Sequence, residues 1–155
     1  MLLLEGFQAG LSWITILRKR ENFRKAFREF DPEVIVRFKT RDLERLMQDA
    51  GIVRNRLKID GSVLNARAFL AAQEEFGSFD RFLWQFTGGK TLRKPAGLTR
   101  EQIVAKTPEC DRMSKELVRR GFKFVGSTIC YAFMQAVGMA NDHLLQCAWH
   151  DRAAR

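Results

Sequence analysis

The sequence is short of several things, and each shortage excludes a class of protein. It has two histidines, one tyrosine and three cysteines. Cys110, Cys130 and Cys147 are odd in number and widely spaced, so they do not form a disulfide framework. A reducing cytoplasm is the expected setting. No apolar run approaches a membrane span, and Met1-Leu-Leu-Leu4 is too short for a signal peptide and lacks its basic start, so no membrane partner is expected. There is no Ser-His-Asp order, no Walker-type glycine loop and no pair of metal-binding carboxylates. Gly88-Gly89-Lys90 lacks the spacing of a phosphate loop. An enzyme built on this chain must work with very few groups. Period-two alternation of strand length is missing too, which removes sheet architectures.

What is present is a soluble, helical, basic chain. A hydrophobic fraction of 46% and a charged fraction of 29% are those of a globular protein, and 155 residues make one domain with a real core. Thirteen phenylalanines beside the single tyrosine let most of the aromatic content pack without hydroxyl partners. Twenty-seven Lys and Arg against eighteen Asp and Glu give +9, which favours a polyanionic partner over a neutral one.

Periodicity and caps place the helices. Ser12 is a plausible N-cap, with Trp13, Ile16 and Leu17 on one face; Phe23, Phe27 and Phe30 recur as a core stripe. Asp31-Pro32 opens a helix with Val34, Ile35 and Phe38 inward, and Thr40 leads another through Leu43, Leu46 and Met47. Asp49-Ala-Gly51 ends it. A long helix runs from Arg54, burying Ile59, Val63, Ala66 and Leu70, until Phe76-Gly77-Ser78. Ser78 caps a short helix carrying Phe79, Phe82, Leu83 and Phe86. Residues 87–107 read as one long, mobile loop. Pro108 starts a helix with Met113, Leu117 and Val118 inward, and Gly126-Ser-Thr128 opens an apolar helix ended by Gly138. A last short helix is predicted from Asn141 or Asp142 to about Trp149. The class is all-α.

Three segments carry chemistry. Glu5-Gly-Phe-Gln-Ala-Gly-Leu-Ser-Trp13 sets a carboxylate, two glycines and an indole inside an apolar stretch. It reads either as a capped helix with Trp13 in the core and Glu5 solvated, or as a pocket for a flat, cationic guest such as a flipped nucleobase. Leu46 to Ile59 resembles a helix-hairpin-helix. Gly51 makes the tight turn and Ile52 plugs between the helices, while backbone N–H groups of Gly51–Arg54 would meet a DNA phosphate at the positive end of the second helix. Arg54, Arg56 and Lys58 would add charge there. His143 and Cys147 stand at i and i+4 on the predicted last helix, a spacing that lets both reach one zinc ion, but they are half a site.

The chain as a whole resembles the bacterial DNA-3-methyladenine glycosylase I family. The resemblance rests on Glu5 to Leu17, Arg20-Glu-Asn22, Phe30-Asp-Pro32, Asp49-Ala-Gly-Ile52, Arg119 to Tyr131, Phe133-Met-Gln-Ala136 and Asn141-Asp-His143. It implies a helix-hairpin-helix glycosylase fold that hydrolyses the N-glycosidic bond of 3-methyladenine in alkylated double-stranded DNA as a monomer. By resemblance Glu5 accepts hydrogen bonds from the flipped base, Trp13 stacks on it, and Gly10-Leu11 approach or fill the gap left in the duplex. Gly51, Ile52, Val53, Arg54 and Lys58 lie on the DNA side. The wider superfamily uses a catalytic aspartate downstream of the hairpin, whereas Leu64–Ala72 here has no carboxylate, which fits a labile, already cationic base.

The same resemblance implies a further N-terminal segment bringing a Cys and a His that complete a structural zinc site with His143 and Cys147, together with aromatics that close the pocket. Relative to that pattern the chain reads as N-terminally truncated. A catalytically impaired, DNA-binding helix-hairpin-helix remnant is therefore the second expectation.

Overall fold

Local signals fix most of the element boundaries in the structure, a computed structural model that describes residues 1–93, 104–144 and 146–150. The first helices are α1 (Leu2–Gln8), α2 (Trp13–Ala26), α3 (Pro32–Ile35) and α4 (Thr40–Gln48). They are followed by the long α5 (Arg56–Phe76), α6 (Phe79–Trp84), α7 (Pro108–Arg119) and α8 (Ser127–Ala136). Asp31 caps α3 by accepting the Glu33 N–H, Asn55 caps α5 by accepting that of Lys58, and Ser78 caps α6 by accepting that of Arg81. Gly77 ends α5 in the left-handed conformation (φ 76°) that glycine adopts without penalty. The all-α expectation holds, with one small addition: β1 (Leu92–Arg93) pairs in parallel with β2 (Ala140–Asn141).

Several sequence expectations shift. The long helix begins at Arg56 rather than Arg54, because the Asn55 side chain does the capping. Ser12 stands at the N-cap of α2, but its hydroxyl bonds the Thr15 hydroxyl at 2.8 Å instead of a backbone N–H. Leu17, Val34 and Val118, expected inward, are exposed. Leu17 and Val118 each sit about 100° round the helix from a buried neighbour, Ile16 and Leu117, and only one of each pair can face the core. The predicted loop over residues 87–107 contains β1, and residues 94–103 lie outside those described. The predicted last helix does not form among the described residues. Asn141 is held in β2 instead, with the Leu92 N–H donating to the Met139 carbonyl at 2.8 Å and Thr91 Oγ1 donating to that of Gly138 at 2.8 Å.

Two apolar clusters make the core, and α5 belongs to both. Ile59 and Ala66 face a cluster with Leu4, Phe7, Ile16, Phe23, Phe27, Leu46 and Ile52. Phe7 meets Phe23 edge-on at 4.8 Å between centroids, which locks α1 against α2. Further along, on another face of the helix, Ala68 and Ala72 meet the second cluster, with Phe82, Met113, Leu117, Phe133 and Met134. The two clusters are thus two half-domains on one spine, and a seam runs between α1 and α8.

Candidate active site

Glu5 sits in the middle of that seam. It is 4% exposed, in a helix whose neighbouring residues Leu4, Gly6 and Phe7 are also buried. Burial holds its carboxyl above the usual carboxylate range, because ionisation in a poorly solvated place is disfavoured. Of the two readings of this stretch, the one with Glu5 solvated is excluded. Trp13 is half-buried at the first position of α2, and both side chains open onto one cleft of about 730 Å³. That is within the roughly 300–1,000 Å³ of ordinary small-molecule sites. The opposite wall comes from the other half-domain, through Thr128, Gln135, Asp142 and His143.

The link between Glu5 and Trp13 is a tight turn. Gly10 adopts φ +78°, and a Cβ there would meet nothing, so glycine is required by the backbone and not by space. Gln8 Nε2 donates to the Leu11 carbonyl at 2.6 Å and the Leu11 N–H donates back to the Gln8 carbonyl at 2.7 Å. The turn therefore presents Leu11, which is 40% exposed, at its tip. An apolar side chain held outward beside the cleft suits insertion into a base stack.

The hairpin forms as expected. Ile52 is buried between α4 and α5, and the Gly51 N–H donates to Asp49 Oδ1 at 2.7 Å. Lys19 on α2 donates to the Ala50 carbonyl at 2.8 Å, tying the turn down from the other side. Val53 is half-buried and Arg54 is exposed at the positive end of α5, whose first turn carries no acidic residue. Arg56 is partly committed, to Glu44 at 2.7 Å and Asp60 at 3.1 Å. Lys58 does not join this surface. It is 7% exposed, and its ammonium donates to the Phe7 and Ala9 carbonyls at 2.9 and 2.6 Å.

His143 and Cys147 do not share a helical face, since residues 146–150 form turns. His143 Nδ1 lies 2.9 Å from Asn141 Oδ1, and the His143 N–H donates to the same oxygen at 3.1 Å. A structural zinc takes four protein donors. Among the described residues no group of three or more His, Cys, Asp or Glu is gathered.

Sequence reasoning missed the second carboxylate of the cleft. Asp142, read only as a cap, accepts hydrogen bonds from the Tyr131 hydroxyl at 2.6 Å and from Gln135 Nε2 at 2.7 Å. Burial pushes the Tyr131 hydroxyl well above its ordinary pKa, and its bond to the Asp142 carboxylate adds to that, so it stays a donor. The signal was available. A lone tyrosine in a chain of thirteen phenylalanines, buried in an apolar helix, must have a partner for its hydroxyl.

Comparison with known proteins matches this geometry to one family. Residues 1–150 match the family model described as Methyladenine glycosylase. The chain is 49% identical over 147 residues to DNA-3-methyladenine glycosylase 1 of Escherichia coli (strain K12), covering 95% of this chain and 78% of that protein. It is 44% identical over 144 residues to DNA-3-methyladenine glycosylase of Haemophilus influenzae, covering 93% of this chain and 77% of that one. Among solved structures, 3-methyladenine DNA glycosylase I from Staphylococcus aureus superposes with a TM-score of 0.92 at 34% identity, over 96% of this chain and 79% of that one. The chain belongs to the methyladenine glycosylase family.

Proposed function

We infer that this chain is a base-excision repair glycosylase that hydrolyses the N-glycosidic bond of 3-methyladenine in alkylated DNA. The observation that carries the reading is the pairing of a buried, desolvated Glu5 carboxyl with the Trp13 indole in one cleft at the seam of the domain. A carboxylate there is costly in the empty cleft and is stabilised when a cation arrives. 3-Methyladenine is cationic while attached to its sugar, and unmodified adenine is not. The site therefore discriminates by charge, and the Trp13 face adds stacking and cation–π attraction.

The chemistry asks little more of the protein. The bond between the sugar C1′ and the base nitrogen breaks, and its electron pair neutralises the base, which leaves as 3-methyladenine. Water adds to C1′ and releases a proton to solvent. No strong acid is needed for a leaving group already charged. The protein's work is to extrude the base, exclude water and hold negative charge near the developing sugar cation. Glu5 supplies that charge, and Asp142 lies on the facing wall. The backbone of the hairpin residues Gly51–Arg54 holds a phosphate of double-stranded DNA, and Gly10-Leu11 enter the space vacated by the base. The protein acts as a monomer in the cytoplasm in this reading. No helix among the described residues is long and apolar enough to cross a membrane.

The test is release of 3-methyladenine from alkylated duplex DNA, compared with Glu5→Gln and Trp13→Ala. Release by the unaltered chain, lost in Glu5→Gln and weakened in Trp13→Ala, supports the reading. DNA binding without release by the unaltered chain would establish the alternative, a DNA-binding remnant. For zinc, the family resemblance puts forward His143 and Cys147. Metal analysis of the purified chain, with and without Cys147→Ser, decides whether they bind it.

A further inference from the structure

The 121–126 loop, within the Arg119–Tyr131 motif, and the buried lysine of α5 have no part in the chemistry above, yet they meet at one point. Lys58 is the third residue of α5 and begins the second helix of the hairpin. Its side chain leaves that surface and crosses to α1, where the ammonium donates to the carbonyls of Phe7 and Ala9. These carbonyls lie at the negative end of α1, two and four residues beyond Glu5 and immediately before Gly10. A cation is favourable at a helix C-terminus, and a buried one needs such acceptors.

The surroundings are built for this contact. The Phe124 ring lies 5.8 Å from the ammonium and covers it. Phe124 holds this place with φ 57°, a left-handed conformation that is uncommon for a residue with a side chain. Two glycines admit it: a Cβ on Gly6 would stand 3.3 Å from Phe124 Cβ, and one on Gly61 would stand 3.3 Å from its ring. Asn65 on α5 fixes the same loop by donating to the Lys123 carbonyl at 3.1 Å and accepting its N–H at 2.7 Å. Three segments thus converge on one ammonium: the start of the hairpin's second helix, the end of α1 and the 121–126 loop.

We propose that Lys58 is a positioning residue that ties the Ala9–Ser12 turn, and with it Glu5, Leu11 and Trp13, to the helix whose N-terminus grips the DNA phosphate. The proposal rests on the glycosylase reading above and extends it. DNA docked at the hairpin sets where α5 lies, and Lys58 hands that placement to the turn that must enter the base stack. The ammonium touches neither base nor phosphate, so its removal spares docking and impairs excision.

The experiment uses the full chain with Lys58→Met, which keeps length and apolar volume but loses the charge and donors. Lys58→Gln, which keeps a donor, serves if the first variant does not fold. Single-turnover release from alkylated duplex DNA should fall on the order of 100-fold, the effect of a small misplacement of reacting groups, with DNA affinity within about threefold of the parent. Hydrogen exchange at Leu11, whose N–H is bonded to the Gln8 carbonyl, should accelerate at least about tenfold, while Ile59 within α5 keeps its protection. Leu117→Ala, destabilised in the other half of the core, should leave Leu11 exchange unchanged. Parental release and Leu11 exchange in Lys58→Met would overturn the proposal. So would equal losses of release and DNA affinity, which would make Lys58 a phosphate contact, or the same Leu11 acceleration in Leu117→Ala. If the parent itself releases no 3-methyladenine, the glycosylase reading fails, and the exchange measurements still decide whether Lys58 holds the turn.

Discussion

Gly51 is where one added carbon atom tests both the seating of the hairpin on the protein and its proposed grip on DNA. A Cβ at this position would stand 2.8 Å from Asp49 Oδ1 and 3.1 Å from both Cβ and Cγ of Asn22 on α2. The backbone of Gly51 does not require glycine, since its φ is not positive, so the penalty of Gly51→Ala is one of space alone. Relief has two components. Asp49 must swing away, giving up the hydrogen bond it accepts from the Gly51 N–H, which is worth about 1 kcal/mol. The Asn22 contact involves a Cβ close to the α2 backbone, so the hairpin must lift by a few tenths of an ångström and strain the Lys19 tether to Ala50. Overpacking of this kind costs ~1–3 kcal/mol.

Urea denaturation of Gly51→Ala should therefore show a lower midpoint at unchanged slope. Affinity for duplex DNA should fall, and the salt dependence should lose about one phosphate contact's worth of slope. Binding of free 3-methyladenine to the cleft should be unaffected, because Gly51 is not part of its wall. A stability loss below about 0.5 kcal/mol together with unchanged DNA affinity would refute this account of the hairpin.

Three further outcomes follow from the site and its scaffold. Glu5→Gln should abolish selective excision yet stabilise the free protein at neutral pH. The folded-state pKa of Glu5 is raised, so its contribution to stability is present in acid and lost as pH rises through the folded value. The stability gain should accordingly vanish at pH values below the ordinary carboxyl range, and thermal melts at both ends check it. Trp13→Ala should weaken binding of 3-methyladenine by the ~1–3 kcal/mol of one base–aromatic stack, read by calorimetry. An unchanged affinity would remove Trp13 from the pocket. Glu116 is bonded to Arg119 and Arg120, which hold its carboxyl down at about 2. Its contribution is present above the ordinary carboxyl value and lost as pH falls toward 2. Glu116→Gln should lower the melting temperature at pH 7, and its difference from the parent should close across that acid window.

What could be read in advance depended on how local the cause was. Caps and turns are local, so Asp31, Ser78, Gly77 and the Gly51 hairpin were legible from the chain. The roles of Glu5 and Trp13 came from the family resemblance, because an apolar stretch with one carboxylate is compatible with a solvated end or a buried one. The structure chooses between them by packing α8 across α1, a long-range contact that no local pattern encodes. The predicted C-terminal helix failed for the same reason. Asn141 to Trp149 has helical spacing, but pairing of β1 with β2 takes Asn141, the residue that would open the helix, into a strand. Lys58 was misplaced because a lysine beside two arginines at a helix N-terminus looks like part of one basic patch. The helix start divides them: Arg54 precedes the Asn55 cap and faces solvent, whereas Lys58 lies inside α5 and points into the protein.

The placement of Asp142 bears on how a site with so few reactive groups would be selective. Glu5, Trp13 and the Leu11 turn belong to the half-domain that carries the hairpin, whereas Asp142 and its donors Tyr131 and Gln135 belong to the other. The cleft is therefore an interface between two cores, with α5 contributing buried residues to both. An extruded base entering it would contact both halves at once, with stacking from one and negative charge from each. A neutral base would leave the buried Glu5 carboxylate in a cleft with less water than before and nothing to offset its charge. On the reading proposed above, a cationic base would offset that cost, so selectivity for the damaged base would follow from the burial of Glu5 at the seam and require no strong catalytic acid.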